Sequence, residues 1–323
     1  MNNFQQTSIY QSPSTMTALS GIEAVHAMYN DAGAIKKGAL IFADSGQGKS
    51  YLAKHYVKKH PPTITHELTT IPIFHFSFKS PKKTGDEILK LLIVALGSDV
   101  PKRSATSADL ELQFIHLLKE KQVELIIFDE IQALVTTYDG IEFQRIIKFF
   151  CWVLDCEDIR CSFVMMGTES AKRFMTFGKT APKLVDTEHF SRRMRRPIPL
   201  RLLRPKKQEW LDCVNWFIGH NLLPAVSFET HKSFLCRLYL AYYYESYMST
   251  LRDLLLNKNC QQCVNIESLI DTVRENFEAE CKNDINFFDS DDISDAKVFD
   301  EINRITKTAK MPGGSDIQIG LNA

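Results

Sequence analysis

Two apolar runs, residues 39–43 and 123–128, constrain this chain most, because each ends in chemistry. The first, Ala39-Leu-Ile-Phe-Ala43, reads as a buried strand. It breaks into Asp44-Ser-Gly-Gln-Gly48, then Lys49-Ser50, then a helical stretch over 51–59. Strand, glycine loop, helix is the setting of a phosphate-binding loop. Backbone N–H groups of such a loop converge on phosphate oxygens, and the helix N-terminus adds the positive end of its dipole. In that frame Ser45, Gly46, Gln47, Gly48 and Tyr51 surround the phosphates of a nucleotide. Lys49 reaches the β- and γ-phosphates, and the Ser50 hydroxyl holds Mg²⁺. The first glycine of the usual G-x-x-x-x-G-K-[ST] pattern is Ala43 here, a mild departure, since Gly46, Gly48 and Lys49-Ser50 are intact. The second run, Val123-Glu-Leu-Ile-Ile-Phe128, ends in Asp129-Glu130. An acidic pair at the end of a buried strand fits a Walker B motif: Asp129 binds Mg²⁺ directly or through water, and Glu130 orients and deprotonates an attacking water. A surface turn plus an ordinary acidic strand end does not explain why both buried strands end in nucleotide chemistry.

With 323 residues, 44% hydrophobic and 24% charged, the chain has room for a full α/β domain and a smaller one. Lys+Arg and Asp+Glu both number 39, so net charge selects no partner and only its distribution can. Residues 1–20 are polar and lack the apolar centre of a signal peptide, and no run approaches a membrane span. A cytoplasmic protein is expected. Most of the eight cysteines sit in apolar contexts and read as reduced packing residues. Cys260-x-x-Cys263 lacks a second ligand pair at zinc spacing.

Residues 1–20 read as a flexible arm and 21–37 as a helix leading to the first strand. A second strand is expected over 71–78, helices over 86–96, 107–120 and 141–154, a strand over 161–167 and a last strand over 196–203. The second of these helices is capped by Ser107 or Asp109. Strands alternating with helices imply a parallel sheet covered on both faces, with ligand at the carboxyl ends of its strands. After Pro205 the pattern is all-helical, over 207–219, 228–244, 247–258 and 266–281. The expected domains are therefore 21–205 (α/β) and 206–283 (helical). A tail from 284 carries seven acids and one base through Glu301 and is expected to be mostly flexible.

The order Walker A, Walker B, Met166-Gly-Thr168, arginine cluster, helical lid resembles the AAA+ ATPases. A finer resemblance is to the TnsC/TniB family of ATP-dependent regulators of DNA transposition. It is carried by Asp44-Ser-Gly-Gln-Gly-Lys-Ser50, Pro81-Lys-Lys-Thr84, Ile126-Ile-Phe-Asp-Glu-Ile-Gln132, Gly167-Thr-Glu169 and His189-Phe-Ser-Arg-Arg-Met194. In the last of these the family tends to read Gln-Leu-x-x-Arg-Phe. The resemblance implies a five-stranded parallel sheet flanked by helices, with a small all-helical lid. It implies ATP held between subunits, homo-oligomeric rings or helical filaments on double-stranded DNA, and a link between a target-selecting protein and the transposase. Hydrolysis would help take the assembly apart. A motor or loader with the same core, or a nucleotide-gated scaffold with negligible turnover, are the rival expectations.

The same resemblance suggests roles for further residues. Thr168 takes the sensor position on the fourth strand, or else caps the next helix. Arg193, with Arg192 as runner-up, reaches the γ-phosphate of a neighbouring subunit. Arg252 is a lid arginine or a surface ion-pair partner. Lys79, Lys82, Lys83, Lys102 and Arg103 face DNA phosphates from loops lining a central channel, with Thr84, Thr136 and Thr137 adding neutral hydrogen bonds.

Overall fold

A computed structural model describes residues 9–31, 33–65, 69–135, 140–180, 188–280 and 285–308. The chain divides into two compact units, Met1–Arg201 and Leu202–Ala323. In the first, α1 (Pro13–His26), β1 (Ala39–Phe42) and α2 (Lys49–Lys59) are followed by a short antiparallel pair, β2 (Thr63–Ile64) and β3 (Thr69–Thr70). Then come β4 (Ile73–Ser77), α3 (Gly85–Ala95), α4 (Ser107–Glu120), β5 (Leu125–Asp129) and α5 (Gly140–Asp155). The unit closes with β6 (Ser162–Gly167), α6 (Arg173–Thr180), α7 (Glu188–Arg193) and β7 (Ile198–Pro199).

Five strands form one parallel sheet in the order β4-β5-β6-β1-β7. Side chains alternate across a strand, so each apolar run feeds two cores. Leu40, Phe74, Ile126, Phe128, Phe163 and Met165 join the core built with α3, α4 and α5. Ala39, Ile41, Ile73, Leu125, Ile127 and Val164 join the core built with α1 and α2. Burial on both faces is why these strands read as continuous hydrophobic runs. The register sets Phe42 opposite Gly167 and Ser77 opposite Asp129, so the loops after β1, β4, β5 and β6 leave the same edge of the sheet.

Three expectations are corrected. The first is the flexible arm over 1–20. Residues 13–20 belong to α1, whose N-cap Ser12 accepts from Thr15 N, with Pro13 at the first helical position. Ala18 and Leu19 are buried. Gly21 lets α1 approach the sheet: a Cβ there would lie 2.3 Å from Ile198 Cδ1. Second, the last strand shrinks from 196–203 to two residues, because Pro197 and Pro199 cannot donate to the ladder. Third, α4 is capped by Thr106 in a reciprocal capping box with Asp109, not by Ser107 or Asp109 alone.

The second unit contains α8 (Gln208–Gly219), α9 (Lys232–Tyr244), α10 (Met248–Leu255), α11 (Ile266–Glu280) and α12 (Asp295–Thr308). Cys260 and Cys263 are free thiols, and the Cys260 Sγ donates to Leu254 O at 3.1 Å. The expectation of a mostly flexible tail is wrong for residues 285–308. Phe287 and Phe288 are buried, and α12 buries Val298, Ile302 and Ile305. The organising group is Arg237 on α9, itself buried. Its guanidinium donates to Phe287 O at 2.7 Å, Ile293 O at 3.0 Å and the Asp295 carboxylate at 2.6 Å. One buried cation thus satisfies carbonyls of an acidic, irregular segment, adding to the segment's own turns, and it fixes the start of α12.

Truncation after Lys282 removes two core aromatics and every tail partner of Arg237. The truncated chain is expected to unfold earlier in a thermal melt followed by circular dichroism. Phe287→Ala should cost about 3 kcal/mol. Unchanged midpoints for both variants would place the tail outside the core.

Candidate nucleotide site

The loop after β1 carries its glycines in backbone conformations that side chains resist: Gly46 has φ 82° and Gly48 φ 91°. Gly48 is the N-cap of α2, so the chain turns directly from the glycine loop into the helix. Gln47 Nε2 donates to Asp44 Oδ2 at 3.1 Å, while its Oε1 is buried without a hydrogen bond. Ser45 is exposed; Gly46, Gly48, Ser50 and Tyr51 are half-buried. Lys49 is only 5% exposed. Its ammonium folds back onto the loop, donating to Ala43 O at 2.9 Å and Asp44 O at 2.8 Å. Burial lowers its pKa, and the nearby carboxylates of Glu130, Asp129 and Asp44 oppose that shift. A buried cation held by two carbonyls beside three carboxylates is a ready partner for phosphate oxygens.

Asp129 closes β5 and is 1% exposed. Burial by itself would raise its pKa. The neighbouring His75 imidazole, the Ser50 hydroxyl and the Glu130 N–H outweigh that and hold the carboxyl below the usual range. The Glu130 N–H donates to Asp129 Oδ1 at 2.9 Å. His75 Nε2 lies 3.7 Å from Asp129 Oδ2, beyond hydrogen-bond length. Ser50 and Asp129, drawn from separate elements, therefore meet as a hydroxyl and an ionised carboxylate. That hard-oxygen pair fits Mg²⁺.

Glu130 sits in the left-handed region, φ 55° and ψ 35°, where non-glycine residues are uncommon. Its carboxylate accepts from Gln132 Nε2, and Gln132 Oε1 accepts from Thr168 N at 3.2 Å. Thr168 follows β6. Its hydroxyl bonds the Ser170 hydroxyl at 2.9 Å and does not cap the following turn. The sequence reading missed His75 and Gln132. The alternation on β4 could have pointed to His75, a polar residue inside an aromatic strand.

Other expected residues fall elsewhere. Arg193 is tied to Asp155 by two bonds, Nε to Oδ1 at 2.5 Å and Nη2 to Oδ2 at 2.7 Å, and that partner raises its pKa. Arg192 on the same helix is exposed. Arg252 belongs to the second unit and pairs with Asp253 at 2.6 Å. Thr84 is the N-cap of α3, accepting from Glu87 N at 3.2 Å. Lys79, Lys83, Lys102 and Arg103 are exposed, and Lys82 donates to Ser80 Oγ at 3.0 Å. Lys83 pairs with Glu142 at 3.2 Å. Thr136 and Thr137 lie outside the described residues. Among the described residues, no helix is long and apolar enough to cross a membrane.

A parallel sheet in this order, with a glycine loop after β1 and an acidic pair at the end of β5, is the fold of the AAA+ P-loop proteins. The model of a family described as bacterial TniB protein matches residues 1–182, and the chain belongs to that family. The fold is similar to that of the ORC2 protein of Aeropyrum pernix, solved in ADPNP-ADP complexes. The TM-score is 0.55 at 13% identity, over 87% of this chain and 72% of that one. A Walker-type ATPase of Pyrococcus abyssi aligns with TM-score 0.49 at 8% identity, over 94% of this chain and 74% of that one. No curated protein matches the chain.

Asp129 has a lowered native pKa. Its ionised form therefore stabilises the fold above the ordinary carboxylate range, and that contribution is lost as pH falls through the native value. The stability difference between wild type and Asp129→Asn is expected to shrink as pH falls from about 6 to about 3. A difference that stays constant in denaturant melts across that range would contradict this electrostatic description.

Proposed function

We propose that this chain hydrolyses ATP and uses the ATP-bound state to assemble on double-stranded DNA as a regulator of transposition. The observation that carries the hydrolytic part is the convergence of Lys49, Ser50, Asp129 and Glu130 at one edge of the sheet. Lys49 would exchange its two carbonyls for β- and γ-phosphate oxygens. Glu130 would take the proton of a water aligned with the β–γ bond, and the Thr168 hydroxyl would contact that water or the γ-phosphate. Mg²⁺ at Ser50 and Asp129 would neutralise phosphate charge. In an assembly of identical subunits, α7 would supply an arginine to the neighbouring site. Arg193 would take that task on releasing Asp155, with Arg192 of the same helix as the alternative. Membership of the TniB family supports the link to transposition, with a transposase subunit and a target-selecting protein as partners.

The DNA surface rests on a local contact. Ser107 Oγ donates to Asp86 Oδ2 at 2.9 Å, joining the N-terminal turns of α3 and α4. The loop with Lys79, Lys82 and Lys83 and the loop with Lys102 and Arg103 then arrive at the same ends of two packed helices. Thr84 is occupied as a cap, so the cations rather than Thr84 would make the phosphate contacts.

Phosphate-release assays test the hydrolytic reading. Glu130→Gln should bind MgATP within about threefold of wild type and turn over about a hundredfold more slowly. Lys49→Ala should lose most MgATP affinity. Arg193→Ala should lose turnover at unchanged MgATP affinity; the same loss in Arg192→Ala alone would move the trans role to Arg192. Wild-type turnover in Glu130→Gln would contradict the assignment.

Binding to duplex DNA should require ATP, show little sequence preference and weaken as salt rises. Reversing Lys82 and Lys83 to Glu should lower affinity and reduce the slope of log K against log salt by about 2. Unaltered affinity and slope, with nucleotide binding intact, would place the DNA surface elsewhere.

A further inference from the structure

Among the described residues, Gln132 is the side chain that holds the Glu130 carboxylate, and the hold has a direction. The Glu130 carboxylate, when ionised, can only accept a hydrogen bond, and the Thr168 N–H can only donate one. The Gln132 amide spans both, so its orientation is fixed by its partners: Nε2 towards Glu130, Oε1 towards Thr168. No other amide orientation satisfies both ends.

The backbone is built to make this reach possible. Glu130 adopts φ 55°, a conformation that costs a non-glycine residue free energy. The left-handed turn breaks the direction of β5 and starts a tight helical turn, Ile131–Leu134, with Ala133 N bonded to Glu130 O at 3.0 Å. Gln132 is thereby carried back towards the carboxylate two residues before it. Gly167, the last residue of β6, leaves the slot open. A Cβ there would lie 2.9 Å from Gln132 Oε1 and 2.7 Å from Ile131 Cγ2. A strained turn, a side-chain-free strand end and a two-ended amide thus serve one contact.

We propose that Gln132 is a positioning residue for hydrolysis: it aims the Glu130 carboxylate and couples that aim to the position of Thr168 at the end of β6. The inference rests on Glu130 acting as the base. In this role Gln132 acts through Glu130 and Thr168, its two hydrogen-bond partners. Any displacement of the β6 end that follows the γ-phosphate reaches Glu130 through the amide.

The test uses full-length protein with MgATP and compares Gln132→Met, which keeps length but has no amide, with Gln132→Glu, which keeps an acceptor for Thr168 N but sets a carboxylate against Glu130. Each should lower kcat about tenfold or more, as expected of a misplaced catalytic group, while KM and the MgATP dissociation constant stay within about twofold. In a Glu130→Gln background, Gln132→Met should cause almost no further loss, because there is no base left to aim. The inference is overturned if Glu130→Gln is slow but both Gln132 variants turn over like wild type. It is also overturned if the Gln132→Met loss persists in full in the Glu130→Gln background. If Gln132→Met does not fold, the Gln132→Glu measurements decide. Wild-type turnover in Glu130→Gln would instead remove the base itself, a failure separate from that of the positioning contact.

Discussion

The rest of the site depends on a buried ammonium. Lys49 lies inside the unit, bonded to the carbonyls of Ala43 and Asp44, with Asp44, Asp129 and Glu130 close enough to oppose the effect of burial. A cation in such a place is costly unless it is paired and hydrogen-bonded. The loop supplies the hydrogen bonds, and the strand beyond it supplies the charge. The parallel sheet brings these together, since β1 and β5 run the same way and end at the same edge, where Lys49 and Asp129 meet. The charge balance is local, in a chain whose totals cancel.

The helical unit solves a similar problem with different groups. Arg237 is a second buried cation, and it is satisfied by main-chain carbonyls and the Asp295 carboxylate. In the first unit the buried cation stands ready to exchange its partners for phosphate. In the second it is saturated, and its effect is to order an acidic segment that would otherwise repel itself.

Much of this was legible in the sequence where one residue type at one spacing has one physical meaning. The runs ending at Ala43 and Phe128, the positive-φ glycines and the acidic pair announce themselves because each depends on neighbours in the chain. The first helix starts earlier than its pattern suggests because a polar, Ser- and Thr-rich turn hides an N-cap signal, Ser12 before Pro13. The tail's composition reads as flexible because its ordering partner, Arg237, lies more than forty residues upstream. The chemistry of Thr84 and Arg193 suggests ligand contacts that their neighbours in the fold already claim. Their partners Glu87 and Asp155 bind them into the fold, and the 38-residue separation of Asp155 from Arg193 leaves no trace in any local pattern. Gln132 belongs to a motif legible in the sequence, but its work depends on a bend at Glu130 and a bare Gly167 that only the three-dimensional arrangement reveals.

The most direct test of the central claim is an experimental structure of the protein with Mg²⁺ and a non-hydrolysable ATP analogue. The account predicts that the Lys49 ammonium leaves the carbonyls of Ala43 and Asp44 for the β- and γ-phosphates, with Mg²⁺ between Ser50 and Asp129. A nucleotide bound elsewhere, or one seated at the loop with Lys49 still on its two carbonyls, would contradict it.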